Sequence, residues 1–134
     1  MNQKNLVKAI GRIATAQGYN FISTVPSHLP ALASSYPAMW LEPPQFFKMT
    51  GRTHGKMSYE VTLHALREGA KVAPTEYDTH WAQMEQDLIE LFTTLSHEPQ
   101  VIVVENLKIR NTSHTLSSHG TIESTATAEV VTYY

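Results

Sequence analysis

Residues 56–66, KMSYEVTLHAL, decide the fold. Met57, Tyr59, Val61, Leu63 and Ala65 fall on one side of an extended chain, and Lys56, Ser58, Glu60, Thr62 and His64 on the other. Successive side chains of a strand point to opposite faces, so alternation kept over this length marks a strand with one face on a core. The other face meets water or a polar interface, as in an antiparallel sheet covered on one side. Something apolar must then lie across the core face, and residues 75–95 supply it. Trp81, Met84, Leu88, Leu91 and Leu95 stand at spacings of 3, 4, 3 and 4, a single stripe along a helix. Pro74 precedes this helix, Thr75 or Asp78 is placed to cap it, and Pro99 ends it. Glu76, Asp78, Glu85, Asp87 and Glu90 give it an acidic outer surface.

Upstream, AMWLE at 38–42 reads as a short apolar strand that stops at Pro43-Pro44, and QFFKM at 45–49 resumes extended structure. Gly51 and Gly55 then mark a turn. Residues 38–66 thus read as an antiparallel pair with a long basic tip. Leu6, Ile10, Ile13 and Ala14 predict a helix over 3–17, stopped by Gly18, with Lys4, Lys8 and Arg12 on its solvated side. Phe21–Val25 suits a short strand. Pro26, Pro30 and Pro37 exclude a regular element from the rest of that stretch. Residues 21–37 and 48–56 are therefore expected as exposed loops.

Downstream, VIVVENLKIR at 101–110 is a strand, NTSHTLSSHG at 111–120 a polar loop, and 121–133 a last strand. Ile122, Ala126, Ala128 and Val130 on that strand make a small-residue face that a helix can approach closely. The order is α-β-β-α-β-β. It predicts an α+β domain over 1–134, a mainly antiparallel sheet with two helices packed on one face.

At 134 residues the chain is long enough for one core without staples. It has no cysteine, which leaves no disulfide, thiolate zinc site or Cys nucleophile and suits a reducing compartment. No run approaches the ~20 apolar residues of a membrane span, and the N-terminus lacks an apolar leader. Seven histidines invite a metal reading, but none has a paired ligand spacing, and His80 and Glu85 are five apart on one helix. They read as surface histidines, and Trp40 and Trp81 read as core. No serine lies in G-x-S-x-G and no Gly-rich phosphate loop appears. No catalytic, cofactor-binding or metal-binding residue is therefore assigned.

Charge is the remaining lead. Residues 1–74 carry eight Lys and Arg against three Asp and Glu, whereas 75–134 carry two against nine. A subunit with one basic and one acidic region can bind its own copies head to tail, and such a contact closes into a ring if the rotation allows. Lys48, Arg52 and Lys56 at the tip are the basic candidates, and Glu85, Asp87 and Glu90 on the helix the acidic ones.

The succession of elements resembles a known family. A leading amphipathic helix, a Pro-bounded strand at YPAMWLEPP, a hairpin with a long loop, MSYEVTLHAL, the helix WAQMEQDLIELFTTL and a closing strand pair look like phage tail-terminator and minor tail (tail-completion) proteins. The resemblance spans nearly the whole chain and is one of pattern. It implies a subunit that forms a ring, commonly a hexamer, at the end of a tail tube or at the head–tail joint. Its partners would be further copies of itself and tail-tube or head–tail joining proteins, in a virion or a bacterial cytoplasm. It implies no enzyme activity and no cofactor. Two other classes compete. One is a small α+β enzyme or ligand-binding domain with a pocket between helix 75–95 and the sheet, edged by Tyr59, Glu60 or His64. The other is a nucleic-acid-associated protein using loop 48–56, which the acidity of the remaining chain disfavours.

Overall fold

Asn2 begins the first helix, its side chain accepting the Asn5 N–H at 2.8 Å. Helix α1 runs Gln3–Ala16 and ends before Gly18, whose φ of 91° suits a residue without a Cβ. In this computed structural model, which describes residues 1–24, 36–51, 55–69, 72–114 and 121–134, α1 is followed by β1 (Asn20–Ser23), β2 (Ala38–Leu41), β3 (Gln45–Thr50) and β4 (Lys56–Glu68). Then come α2 (Tyr77–Ser96), β5 (Val101–His114) and β6 (Thr121–Tyr133). The strands form one sheet in the order β1-β2-β4-β6-β5, with β3 also paired to β4. Among the described strands, only β1–β2 is a parallel pair.

Strands β2 and β3 are two pieces of one line along the same side of β4. β2 lies opposite Leu63–Leu66, and β3 opposite Lys56–Glu60. Pro43 and Pro44 fall at the break, where they withhold no ladder N–H. This is the expected antiparallel pair. Lys48–Thr50 and Lys56, expected in a loop, belong to its strands, while Arg52 lies outside the described residues.

One apolar cluster joins both helices to one face of the sheet. Leu6, Ile10 and Ala14 of α1 and Met84, Leu88, Leu91 and Leu95 of α2 are fully buried with Val61, Leu63, Ala126 and Val130. The fold is therefore α+β with its helices on one face. The expected partner of the α2 stripe, the core face of β4, is corrected in part. α2 lies mainly over β5 and β6 and touches β4 little. The small side chains Ala126 and Ala128 let the helix settle there, and α1 fills the space toward β1. Trp81 is half-buried at the start of the stripe, and Phe92 joins the buried set.

Three boundaries differ from expectation. A 3-10 turn, Pro74–Glu76, leads into α2, and Glu76 at the cap makes no side-chain hydrogen bond, so neither Thr75 nor Asp78 caps it. Asn111–His114, expected as loop, extend β5 opposite Thr121–Ser124; Ser124 Oγ donates to Asn111 Oδ1 at 2.6 Å. Within 21–37, β1 occupies the first residues, and 25–35 lie outside the described residues. Among the described residues, no helix is long and apolar enough to cross a membrane.

Gly11 sits in the buried face of α1, and a Cβ there would stand 2.8 Å from two ring carbons of Phe21. Alanine would gain about 1 kcal/mol of helix propensity, but displacing a packed ring costs about 1–3 kcal/mol. Gly11→Ala is thus expected to lower stability by up to about 2 kcal/mol. Urea unfolding measures it, and a stabilised variant would show that the Phe21 ring gives way freely.

Candidate functional site

The sheet face away from the helices carries a second small cluster. Ala38, Trp40 and Leu66 are buried there, with Ile22 and Tyr36 against them. Pairing sets Trp40 opposite His64, His64 opposite Thr125, and Thr125 opposite Arg110. The His64 ring stacks on Trp40 at 4.0 Å between centroids. Its Nε2 lies 2.7 Å from Glu42 Oε2, and its Nδ1 lies 2.7 Å from Glu123 Oε1 and 3.0 Å from Thr125 Oγ1. The expectation of a surface histidine is therefore overturned: His64 is 9% exposed. Glu42 follows β2 and Glu123 lies on β6, so three segments remote in sequence converge on one ring.

Carboxylates on both ring nitrogens require an N–H on each, which is the imidazolium. Burial opposes that charge, but hydrogen bonds to Glu123 and Glu42 and their negative charges outweigh it, and the pKa of His64 is raised above its ordinary 6.5. Threonine, histidine and glutamate in a row resemble a nucleophile–base–orienter set. A general base must begin neutral, however, and carboxylates on both ring nitrogens favour the protonated ring. Thr125 also donates its hydroxyl to Glu123 at 2.5 Å, not to the ring. The arrangement is a buried ion network that ties β2, β4 and β6 together.

Beside it the open face dips into a groove of about 530 Å³, lined by Thr62, Lys108, Arg110, Thr112 and Thr127 with the His64 network. Where a pocket between helix 75–95 and the sheet was expected, Met84, Leu88, Leu91 and Leu95 are fully buried. Of its named edge residues, His64 lines the open-face groove, Glu60 lies on the open face, and Tyr59 is buried on the core side with its hydroxyl donating to Met1 O at 3.0 Å.

The acidic candidates separate on folding. Asp87 accepts the Tyr19 hydroxyl at 2.5 Å and Gln83 Nε2 at 3.0 Å. Burial first, and the Asp87 carboxylate second, push the Tyr19 hydroxyl up to about 12. Glu85 accepts from Asn111 Nδ2. Both carboxylates are thus bound within the chain at the flanks of α2. Glu90 is exposed and accepts from Gln86, one turn back, at 3.0 Å. The outward stripe of α2 is Thr79, Ala82, Gln86, Ile89 and Thr93, all exposed. Of the acidic outer surface expected there, Glu76, Asp78 and Glu90 are exposed and Glu85 and Asp87 half-buried, flanking this neutral stripe. Carboxylates also gather on the open sheet face, where Glu60, Glu129 and Glu105 stand directly opposite one another across β4, β6 and β5.

Of the basic candidates, Lys48 and Lys56 are exposed on β3 and β4. Arg12 is ion-paired with Glu98 in the same chain. A feature that charge counting missed stands beside them. All six residues of β3 are exposed, including Phe46 at 52%, Phe47 at 48% and Met49 at 45%. The signal was the unbroken pair Phe46-Phe47 in a strand that also carries a lysine. No family model and no curated protein sequence matches the chain.

Proposed function

We propose that this protein is a structural subunit that binds further copies of itself head to tail, of the kind that completes or terminates a phage tail. The observation that carries the reading is β3. It is a sheet edge among the described residues, and it holds three of the exposed large apolar side chains. An exposed apolar edge strand is an association or aggregation hazard unless a partner covers it. The sheet's other end, β5, lies on the far side of the molecule, so the two ends offer unlike surfaces. Unlike surfaces build rings or filaments. The pattern resemblance to tail-completion proteins supplies the setting, a ring on a tail tube.

Size-exclusion chromatography with light scattering, run over a wide concentration range, tests self-association. Discrete oligomers above the 15.0 kDa monomer are expected, and they should weaken when Phe46 and Met49 are both replaced by serine. Co-sedimentation with tail tubes tests the setting. A chain that stays monomeric at every concentration and ignores tube ends removes the reading.

The open-face groove favours one rival, a ligand-binding domain. Under that reading a polar small molecule would protect Thr125 and Thr127 amides from exchange while the protein remained monomeric.

A further inference from the structure

We infer that the open-face groove beside His64 binds an oxyanion, the carboxylate or phosphate group of a small ligand, against its β5 wall. This goes beyond the head-to-tail reading and does not rest on it. The sheet register builds the site. On the open face Thr62, Thr127 and Lys108 form one row across β4, β6 and β5, and His64, Thr125 and Arg110 form the next. All six line the groove, as does Thr112, two residues beyond Arg110. Lys108 and Arg110 are exposed, and Thr112, Thr125 and Thr127 are half-buried. Hydroxyls thus form the floor and two cations form one wall.

The distribution of charge names the ligand class. Two carboxylates, Glu42 and Glu123, also line the groove. His64 takes up both, at 2.7 Å each, and the Thr125 hydroxyl donates to Glu123 as well. Among the described residues neither Lys108 nor Arg110 is ion-paired, whereas Arg12 is paired with Glu98 and Arg67 lies 3.2 Å from His80 Nδ1. A guanidinium presents a rigid fork of donors that fits a carboxylate or phosphate through two parallel bonds. The Thr112 and Thr127 hydroxyls beside it can donate to a further oxygen. Glu42 and Glu123, gathered at the His64 ring, confine an anion to the β5 side. The other acids on this face, Glu60, Glu129 and Glu105, form the row next to Lys108. Same-face rows lie about 6.7 Å apart, which sets Arg110 about 13 Å from those acids. That is past the Debye length of about 8 Å, and Lys108 stands between.

Inorganic phosphate and acetate, titrated separately at constant ionic strength, test the site and distinguish the two oxyanions. Saturable shifts of the Arg110 Nε–H and of the Thr125 and Thr127 amide resonances are expected with the tighter of the two. Arg110→Gln, at an exposed position and checked for an unchanged thermal melt, should weaken binding at least ~10-fold. Arg110→Lys, which keeps the charge and loses the fork, should weaken it less. Lys4→Gln, an exposed cation on α1, should leave it unchanged. A second measurement needs no variant. Phenylglyoxal labelling of Arg110, read by mass spectrometry, should slow when the anion is present, while labelling of Arg12 should not. Shifts that stay linear to high concentration, protection shared equally by Arg12 and Arg110, or an Arg110→Gln protein that binds as wild type does would each overturn the site. Self-association, measured by light scattering, decides the head-to-tail reading separately in every case.

Discussion

Leu88→Ala should lower the unfolding free energy by roughly 2–5 kcal/mol. Leu88 is fully buried midway along the α2 stripe, with Met84, Leu91 and Leu95 buried on the same face. Below it the sheet presents Ala126 and Ala128, whose side chains are too short to follow a shortened neighbour into the space. The hole should therefore stay open, and the cost adds lost transfer energy to a cavity term. For a domain of ordinary stability, about 5–15 kcal/mol, this is a large fraction. The control stands one residue along. Ile89→Ala, at an exposed position, should change the stability of the monomer by no more than about 0.5 kcal/mol. Urea unfolding of both variants separates a stripe packed on the sheet from one merely amphipathic. A loss at Leu88 below about half a kcal/mol would remove it from the core.

The contrast between Leu88 and Ile89 marks what the sequence makes legible. A period of 3.6 in α2 and of 2 in β4 depends only on local geometry, so both the elements and the faces they bury can be read directly. The pause at Pro43-Pro44 and the stop at Gly18 are legible for the same reason. The partner of a face is not. The stripe of α2 suits any apolar strand, and it comes to rest on β5 and β6 because alanines there admit it and α1 occupies the neighbouring space. Asn111–His114 carry no apolar alternation, and only the pairing supplied by Thr121–Ser124 makes them strand. Charge misleads most. Glu85 and Asp87 lie on the acidic half of the chain, yet Asn111 and Tyr19, from other elements, take them up. Lys48 and Lys56 come to share the sheet with Glu60, so the division by sequence position is partly interleaved in space. Alternation along β4 places His64 on the polar side of its strand. Its burial comes from Trp40, Glu42 and Glu123, which no local pattern connects to it.

Replacing His64 by alanine should cost about 3–5 kcal/mol, the usual penalty for removing one member of a buried ion pair. The substitution takes an imidazolium away from the side of Glu123, whose side chain is 7% exposed, and from Glu42, which at 33% can turn to water. Glu123 should therefore dominate the loss. In a Glu123→Gln background the same His64→Ala change should cost about 0.5–3 kcal/mol less, the size of coupling seen between residues in one network. The pH dependence follows from the raised pKa. The unfolded chain binds the His64 proton only below about 6.5, while the folded protein retains it to higher pH. The network's contribution is then fully present below the unfolded value and is lost as pH rises through the folded one. The stability difference between wild type and His64→Ala should accordingly be greatest in mild acid and shrink on the alkaline side. It should not vanish there, because the neutral ring still stacks on Trp40. Urea unfolding of both proteins from about pH 5 to pH 9 measures this difference, spanning the ordinary histidine value, and the pH dependence of the His64 ring proton resonances reports the same titration directly. A difference that grows with pH would mean that His64 is buried as the neutral ring, and would reopen its role as a base toward Thr125.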